Sequence, residues 1–231
     1  MKIFSVIMTH KEALPTVERH LPIWLGTTNH LIFTSPENNY MTDEEFCLGY
    51  PEIKIGKAEH HGEISAQRII SIFNYVIEHY LYEEITHILL MEYDSFATSI
   101  PADVMPPGEF GVSAIKYPQN KPIKYKAQFY LHYPMLFSKE GFKLTAKELA
   151  NVTTKDRHFS DRFIGMAVQK SGISIRDLRK LRRGYSKNTI EPYNYPALKE
   201  AVKNGAVFFH GVKTIETLAQ IYEIPIIPPI Q

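Results

Sequence analysis

Two acids separated by one residue, Glu92 and Asp94, follow the most apolar run of the chain, Ile88-Leu89-Leu90-Met91. Strand residues two apart share a face. An extended backbone there would bring both carboxylates out on one side, at the carboxyl end of a buried strand, which is where open α/β sheets bind ligands. Two like charges so placed need a cation or several donors. Hard carboxylate oxygens suit Mg²⁺ or Mn²⁺ held together with the phosphates of a substrate. The plainer reading of the same triplet is a turn opened by Asp94-Ser95 with Glu92 in solvent.

Two further groups carry chemistry that matches such a site. In His61-Gly62-Glu63-Ile64-Ser65-Ala66-Gln67-Arg68, a glycine permits close approach, a helix start offers free N–H groups to an anion, and Arg68 lies within reach of that end. In His210-Gly211-Val212-Lys213, directly after the apolar Val207-Phe208-Phe209, an imidazole is a ligand for Mn²⁺-like ions and a lysine neutralises a phosphate oxygen. Alone, each reads as an ordinary helix start or a hydrogen-bonded histidine.

The elements that must position these groups follow from periodicity. Lys2 to Met8 is a buried strand that ends in polar Thr9-His10-Lys11-Glu12, and His30 to Thr34 is a second strand closed by Ser35-Pro36. Apolar Ala66, Ile69, Ile70, Phe73, Val76, Ile77 and Tyr80 recur at three- and four-residue steps, an amphipathic helix over Ser65–Tyr80 capped by Ser65 or an earlier residue. The unbroken apolar run at Ile88–Met91 is a central strand covered on both faces. Strands at Phe110–Ile115 and Gln128–Phe137 flank a Lys/Pro-rich stretch. Helices at Ser138–Ala150 and Ser160–Lys170 follow, the second stopped by Gly172. A short helix near Pro196–Asn204, a strand at Val207–Phe209, a last helix and a Pro-rich tail complete the chain. The order is α/β, one domain with a mixed central sheet flanked by helices.

Composition narrows the class. The 231 residues carry 26 Lys+Arg against 25 Asp+Glu, a net charge of +1, which excludes a globally basic nucleic-acid binder. A single cysteine, Cys47, excludes an internal disulfide and a Cys-based zinc site. The expectation is a cytoplasmic protein with no membrane-spanning run and no signal-peptide layout. The charge is uneven: residues 176–187 hold six basic and one acidic side chain, a local +5, leaving −4 for the rest. Such a segment contacts an anionic acceptor, grips a diphosphate, or is a solvated helix face. Aromatics at Tyr117, Tyr125, Phe129, Tyr130, Tyr133, Tyr185, Tyr193 and Tyr195 either stack on sugars or bases or pack the core.

Taken in order, these pieces resemble the GT-A glycosyltransferase fold, the nucleotide-diphosphosugar transferases. Val6-Ile7-Met8-Thr9-His10-Lys11-Glu12 resembles that family's first strand and nucleoside loop, Gly62 to Arg68 its G-x-x-x-A-x-R helix start, and Glu92-Tyr93-Asp94 its D-x-D motif. Ser160-Asp161-Arg162-Phe163-Ile164-Gly165 looks like the acidic motif opening a later helix, and His210 to Lys213 is similar to the closing histidine and lysine. The resemblance spans residues 3–213. It implies a GT-A-like single domain, with a nucleotide-sugar-binding half over about residues 1–100 and an acceptor half over about 101–231. It further implies Asp94, Glu92 and His210 on Mn²⁺ or Mg²⁺, and Thr9, His10, Glu12, Ser35, Arg68, Glu92 and Lys213 around the nucleoside-diphosphate sugar. Asp161 is the implied general base, with Asp156 as a neighbour able to compete and with the helix dipole favouring an Asp at that position in any case. Glu92 stands where the family has Asp, and Ser35 where many relatives carry an acid.

The implied activity is transfer of a sugar from a nucleoside diphosphate to a hydroxyl of a glycan or similar acceptor. Alternatives are transfer to hydroxymethylated DNA bases through the Arg176–Lys187 segment, and a non-catalytic nucleotide- or carbohydrate-binding module. A sugar-1-phosphate nucleotidyltransferase is a further rival, against which stands the lack of a Gly-rich loop after the first strand.

Overall fold

The computed structural model describes residues 2–9, 27–34, 61–81, 83–92, 95–97, 100–118, 129–152, 160–178, 203 and 207–209. Within these residues, β-branched and apolar runs form the strands β1 (Ile3–Thr9), β2 (Thr27–Thr34), β3 (His87–Glu92), β4 (Phe96–Ala97), β5 (Gly111–Pro118), β6 (Phe129–Ser138), β7 (Ser174–Asp177) and β8 (Phe208–Phe209). The helices are α1 (His61–His79), α2 (Lys139–Leu149) and α3 (Ser160–Ser171).

Six of the described strands make one sheet in the order β2-β1-β3-β6-β5-β7. Neighbours β1/β2, β1/β3 and β5/β7 are parallel, while β6 runs antiparallel to both β3 and β5. The fold class is therefore α/β with a mixed central sheet flanked by helices, as expected. β4 and β8 form a separate antiparallel pair, Phe96 opposite Phe209.

The three described α-helices lay their apolar stripes on one face of the sheet. Phe4, Val6, Met8, Ile88, Leu90, Leu131, Tyr133 and Phe137 from the strands share a core with Ile69, Phe73 and Val76 of α1, Phe142 of α2, and Phe163 and Ala167 of α3. Phe73 is its centre, stacked on Phe142 at 4.1 Å and edge-on to Phe137 at 6.0 Å. The α1 stripe is turned slightly from the predicted one. Ile72 is fully buried, and Ile70 and Ile77 are half-buried at its margin. In β3 the four apolar residues are buried on both faces, with only His87 and Glu92 at its ends reaching the surface.

Local signals set the ends. Ser138 caps α2 by accepting the Gly141 N–H at 3.1 Å, and the same hydroxyl ties β5 through the Gly111 N–H at 2.9 Å. Gly172, at φ 68°, closes α3 in the left-handed conformation that glycine takes without strain. α1 starts at His61, four residues before Ser65, so Gly62 stands in its first turn.

One reading of residues 176–187 is corrected at its start: Arg176-Asp177 does not lie on a helix face but ends β7, which pairs in parallel with β5 and is last in the order of the described strands. Arg176 donates to the Asp103 carbonyl at 2.6 Å, and Asp177 accepts the Lys116 N–H at 3.2 Å. Residues 179–187, the 119–128 stretch, most of the proposed Pro196–Asn204 helix and the final helix lie outside the described residues.

His87, at the amino end of β3, has its imidazole held below its ordinary pKa, chiefly by burial. A base whose pKa falls on folding takes up protons more readily when unfolded, so this contribution to stability is full above about pH 6.5 and is lost as pH drops through the folded value. Melting temperatures measured across that window should fall on acidification more steeply in the wild type than in His87→Gln.

Candidate active site

The carboxyl ends of the parallel strands meet at one edge of the sheet. Met8 pairs with Glu92 and Thr9 with Thr34, so Thr9 and Glu92 end adjacent strands side by side. Because β6 runs the other way, its first residues reach this edge, and Gly165 of α3 packs on them. A Cβ at Gly165 would stand 3.2 Å from the Tyr130 Cα and 3.3 Å from the Leu131 nitrogen. The absence of a side chain there lets the start of α3 lie against β6. Tyr80, just past the carboxyl end of α1, stacks on Phe4 near the start of β1 at 5.0 Å, so that end of the helix lies toward the opposite edge.

This packing joins two of the sequence motifs. The Ser160 hydroxyl donates to Glu92 Oε1 at 3.1 Å, across 68 residues of sequence. The next residue, Asp161, divides its two oxygens: Oδ1 accepts the Arg162 N–H at 2.8 Å, and Oδ2 lies 4.0 Å from His132 Nε2. Both side chains of that pair are about one-fifth exposed, at 22% each. Asp161 thus does what an Asp in a first helical turn does, and it also faces a titratable partner on another strand.

His132 is the residue that reasoning from the sequence missed. It sits in an aromatic corner, edge-on to Tyr117 at 4.9 Å and to Tyr130 at 5.1 Å, while those two rings stack on each other at 5.1 Å. The signal was present in Tyr130-Leu131-His132-Tyr133, where Leu131 and Tyr133 are fully buried and the alternate residues are half-buried. Tyr117 and Tyr130 are therefore surface-reaching rings, whereas Phe129 and Tyr133 are core.

The backbone at the end of β3 is held locally. β3 ends at Glu92, and Ser95 folds back on it. The Ser95 N–H reaches the Glu92 carbonyl at 2.9 Å, and the Ser95 hydroxyl both accepts the Glu92 N–H at 2.9 Å and donates to the Glu92 carbonyl at 3.0 Å. Tyr93 and Asp94 lie outside the described residues, so the described part of the acid-x-acid triplet is Glu92 alone. Of the predicted site residues, Glu92 and Asp161 are brought to one corner. Thr9 and Arg68 are placed by their backbones in β1 and α1. Asp94, His10, Glu12, Ser35, His210, Lys213 and Asp156 lie outside the described residues. Among the described residues no group of three or more His, Cys, Asp or Glu side chains could hold a metal ion, and no helix is long and apolar enough to cross a membrane.

No protein-family model matches the chain, and no curated sequence is significantly similar. Solved structures that superpose on it include a glycosyltransferase involved in the glycosylation of the major capsid of PBCV-1, at 12% identity and a TM-score of 0.47, covering 96% of this chain and 100% of that one. Another is 4-diphosphocytidyl-2C-methyl-D-erythritol synthase, at 17% identity and a TM-score of 0.43, covering 81% and 95%. At this degree of overlap neither bears on chemistry.

Proposed function

We propose that the chain is a glycosyltransferase that moves a sugar from a nucleoside diphosphate to a hydroxyl acceptor of a glycan or glycoconjugate. The observation that supports it is the Ser160–Glu92 hydrogen bond, which gathers the carboxylate that ends β3 and the acidic start of α3 at the carboxyl edge of the sheet. The two roles need to be neighbours, because the leaving diphosphate and the attacking hydroxyl act on the same anomeric carbon.

In this reading the acceptor hydroxyl attacks the anomeric carbon, its proton passes to the Asp161 carboxylate, and the bond from that carbon to the diphosphate oxygen breaks with its electron pair on the departing diphosphate. Ser160 orients Glu92. The donor set of Glu92, Asp94 and His210, two carboxylates and an imidazole, fits a hard divalent cation. Those residues would hold Mn²⁺ or Mg²⁺, whose chemistry is to offset charge on the leaving group. Arg68 and Lys213 add positive charge, and Thr9, His10, Glu12 and Ser35 line the nucleoside pocket.

Titration of the purified protein with UDP, GDP, CDP and ADP, with and without Mn²⁺, tests the assignment. Asp94→Ala should abolish the metal-dependent part of binding, and unchanged binding in that variant would sink the metal site. Slow hydrolysis of the matching nucleotide sugar separates an enzyme from a binding module.

A further inference from the structure

We infer that His132 is a positioning residue for Asp161, held in place by the Tyr117–Tyr130 corner; this rests on the transferase reading of the site. Four observations converge. Nε2 of His132 faces Oδ2 of Asp161 at 4.0 Å, a distance for ion contact rather than a formed hydrogen bond. The imidazole is edge-on to two tyrosines that stack on each other, so its orientation is fixed from the strand side. The other carboxylate oxygen, Oδ1, accepts the Arg162 N–H, so the two oxygens of Asp161 meet groups on two different elements. Finally, β6 brings His132 to the edge where Glu92 and Ser160 meet, with both members of the pair still partly exposed to an incoming acceptor.

A histidine so placed does for a carboxylate base what a third group does for any catalytic base: it selects one orientation and one direction of proton transfer. Its ring touches neither donor nor acceptor in this assignment. Its effect therefore passes through Asp161, and its loss should cost turnover rather than donor affinity.

The experiment uses His132→Phe, which keeps a ring against the two stacked tyrosines, and His132→Gln, whose amide nitrogen stands near the Nε2 position. Hydrolysis and transfer are measured with the UDP-, GDP-, CDP- and ADP-sugars on which the wild type acts. His132→Phe should lower kcat about tenfold or more with donor KM little changed, and His132→Gln should recover most of it. Adding His132→Phe to Asp161→Asn should cost nothing further, because coupled residues are non-additive. Independently of turnover, the His132 Cε1–H resonance, assigned by its absence in His132→Gln, should titrate roughly one pH unit lower in Asp161→Asn. An unchanged kcat in His132→Phe, full additivity, or an unmoved resonance overturns the inference. A wild type that turns over no donor while the resonance still shifts overturns the transferase reading and leaves the His132–Asp161 pair standing.

Discussion

Asp161→Asn should lower sugar transfer about 10²–10⁴-fold, the range a positioned general base contributes, while donor binding and melting temperature stay close to wild type. The substitution isolates the chemistry because the amide oxygen can still accept the Arg162 N–H that Oδ1 accepts at 2.8 Å. The start of α3, and with it the Ser160 hold on Glu92, is preserved. What is lost is a group able to take a proton. Initial rates at saturating donor, set beside isothermal titration of the nucleoside diphosphate, separate the two. A rate within a few-fold of wild type would remove Asp161 from the proton transfer. It would point to a reaction that retains anomeric configuration, for which no base is required at that place.

The second large effect is on stability. Phe73→Ala should destabilise the protein by about 3–5 kcal/mol, the cost of deleting a buried aromatic ring. Against a total stability of about 5–15 kcal/mol for a typical domain, that is a large fraction. Phe73 is completely buried and lies nearly parallel to Phe142, with an interplanar angle of 4°, so its removal opens a void between α1, α2 and the sheet. Backbone cannot close such a gap, because β3 and β6 are held by their own ladder. A shift in the denaturant midpoint with an unchanged slope would register the loss; a change under about 1 kcal/mol would mean that the helices can collapse onto the site.

Much of this architecture was legible because it depends on patterns that tertiary contacts reinforce. Ile88–Met91 reads as a central strand since only a doubly covered strand tolerates four apolar residues in a row, and Gly172 reads as a helix stop since the left-handed turn favours glycine. What escaped was non-local. Arg176-Asp177 carries a charge signature, yet pairing with Ser113 and Ala114 makes it a strand. The two-residue strand β4 is too short for any period, and only its pairing with β8, which the apolar run Val207-Phe208-Phe209 did announce, defines it. At the site, the acidic start of α3 was visible as composition, but its contact with Glu92 depends on where Gly165 lets a helix approach a strand. His132 was overlooked for the same reason: its partner, Asp161, sits on another element, and no spacing along the chain announces it.

The antiparallel insertion of β6 between β3 and β5 has a consequence for how the chain is made. Ile88 pairs with Phe137, so β3 leaves the ribosome with one neighbour, β1, and waits for its second until β6 has been synthesised. At about 5–20 residues per second that delay is on the order of several seconds. Through it, the most apolar strand of the protein presents a row of unpaired amides and carbonyls, the kind of edge that recruits other chains. Nascent chains halted before β6 should therefore be the aggregation-prone species, and the segment around Ile88–Met91 the one a chaperone would have most cause to cover.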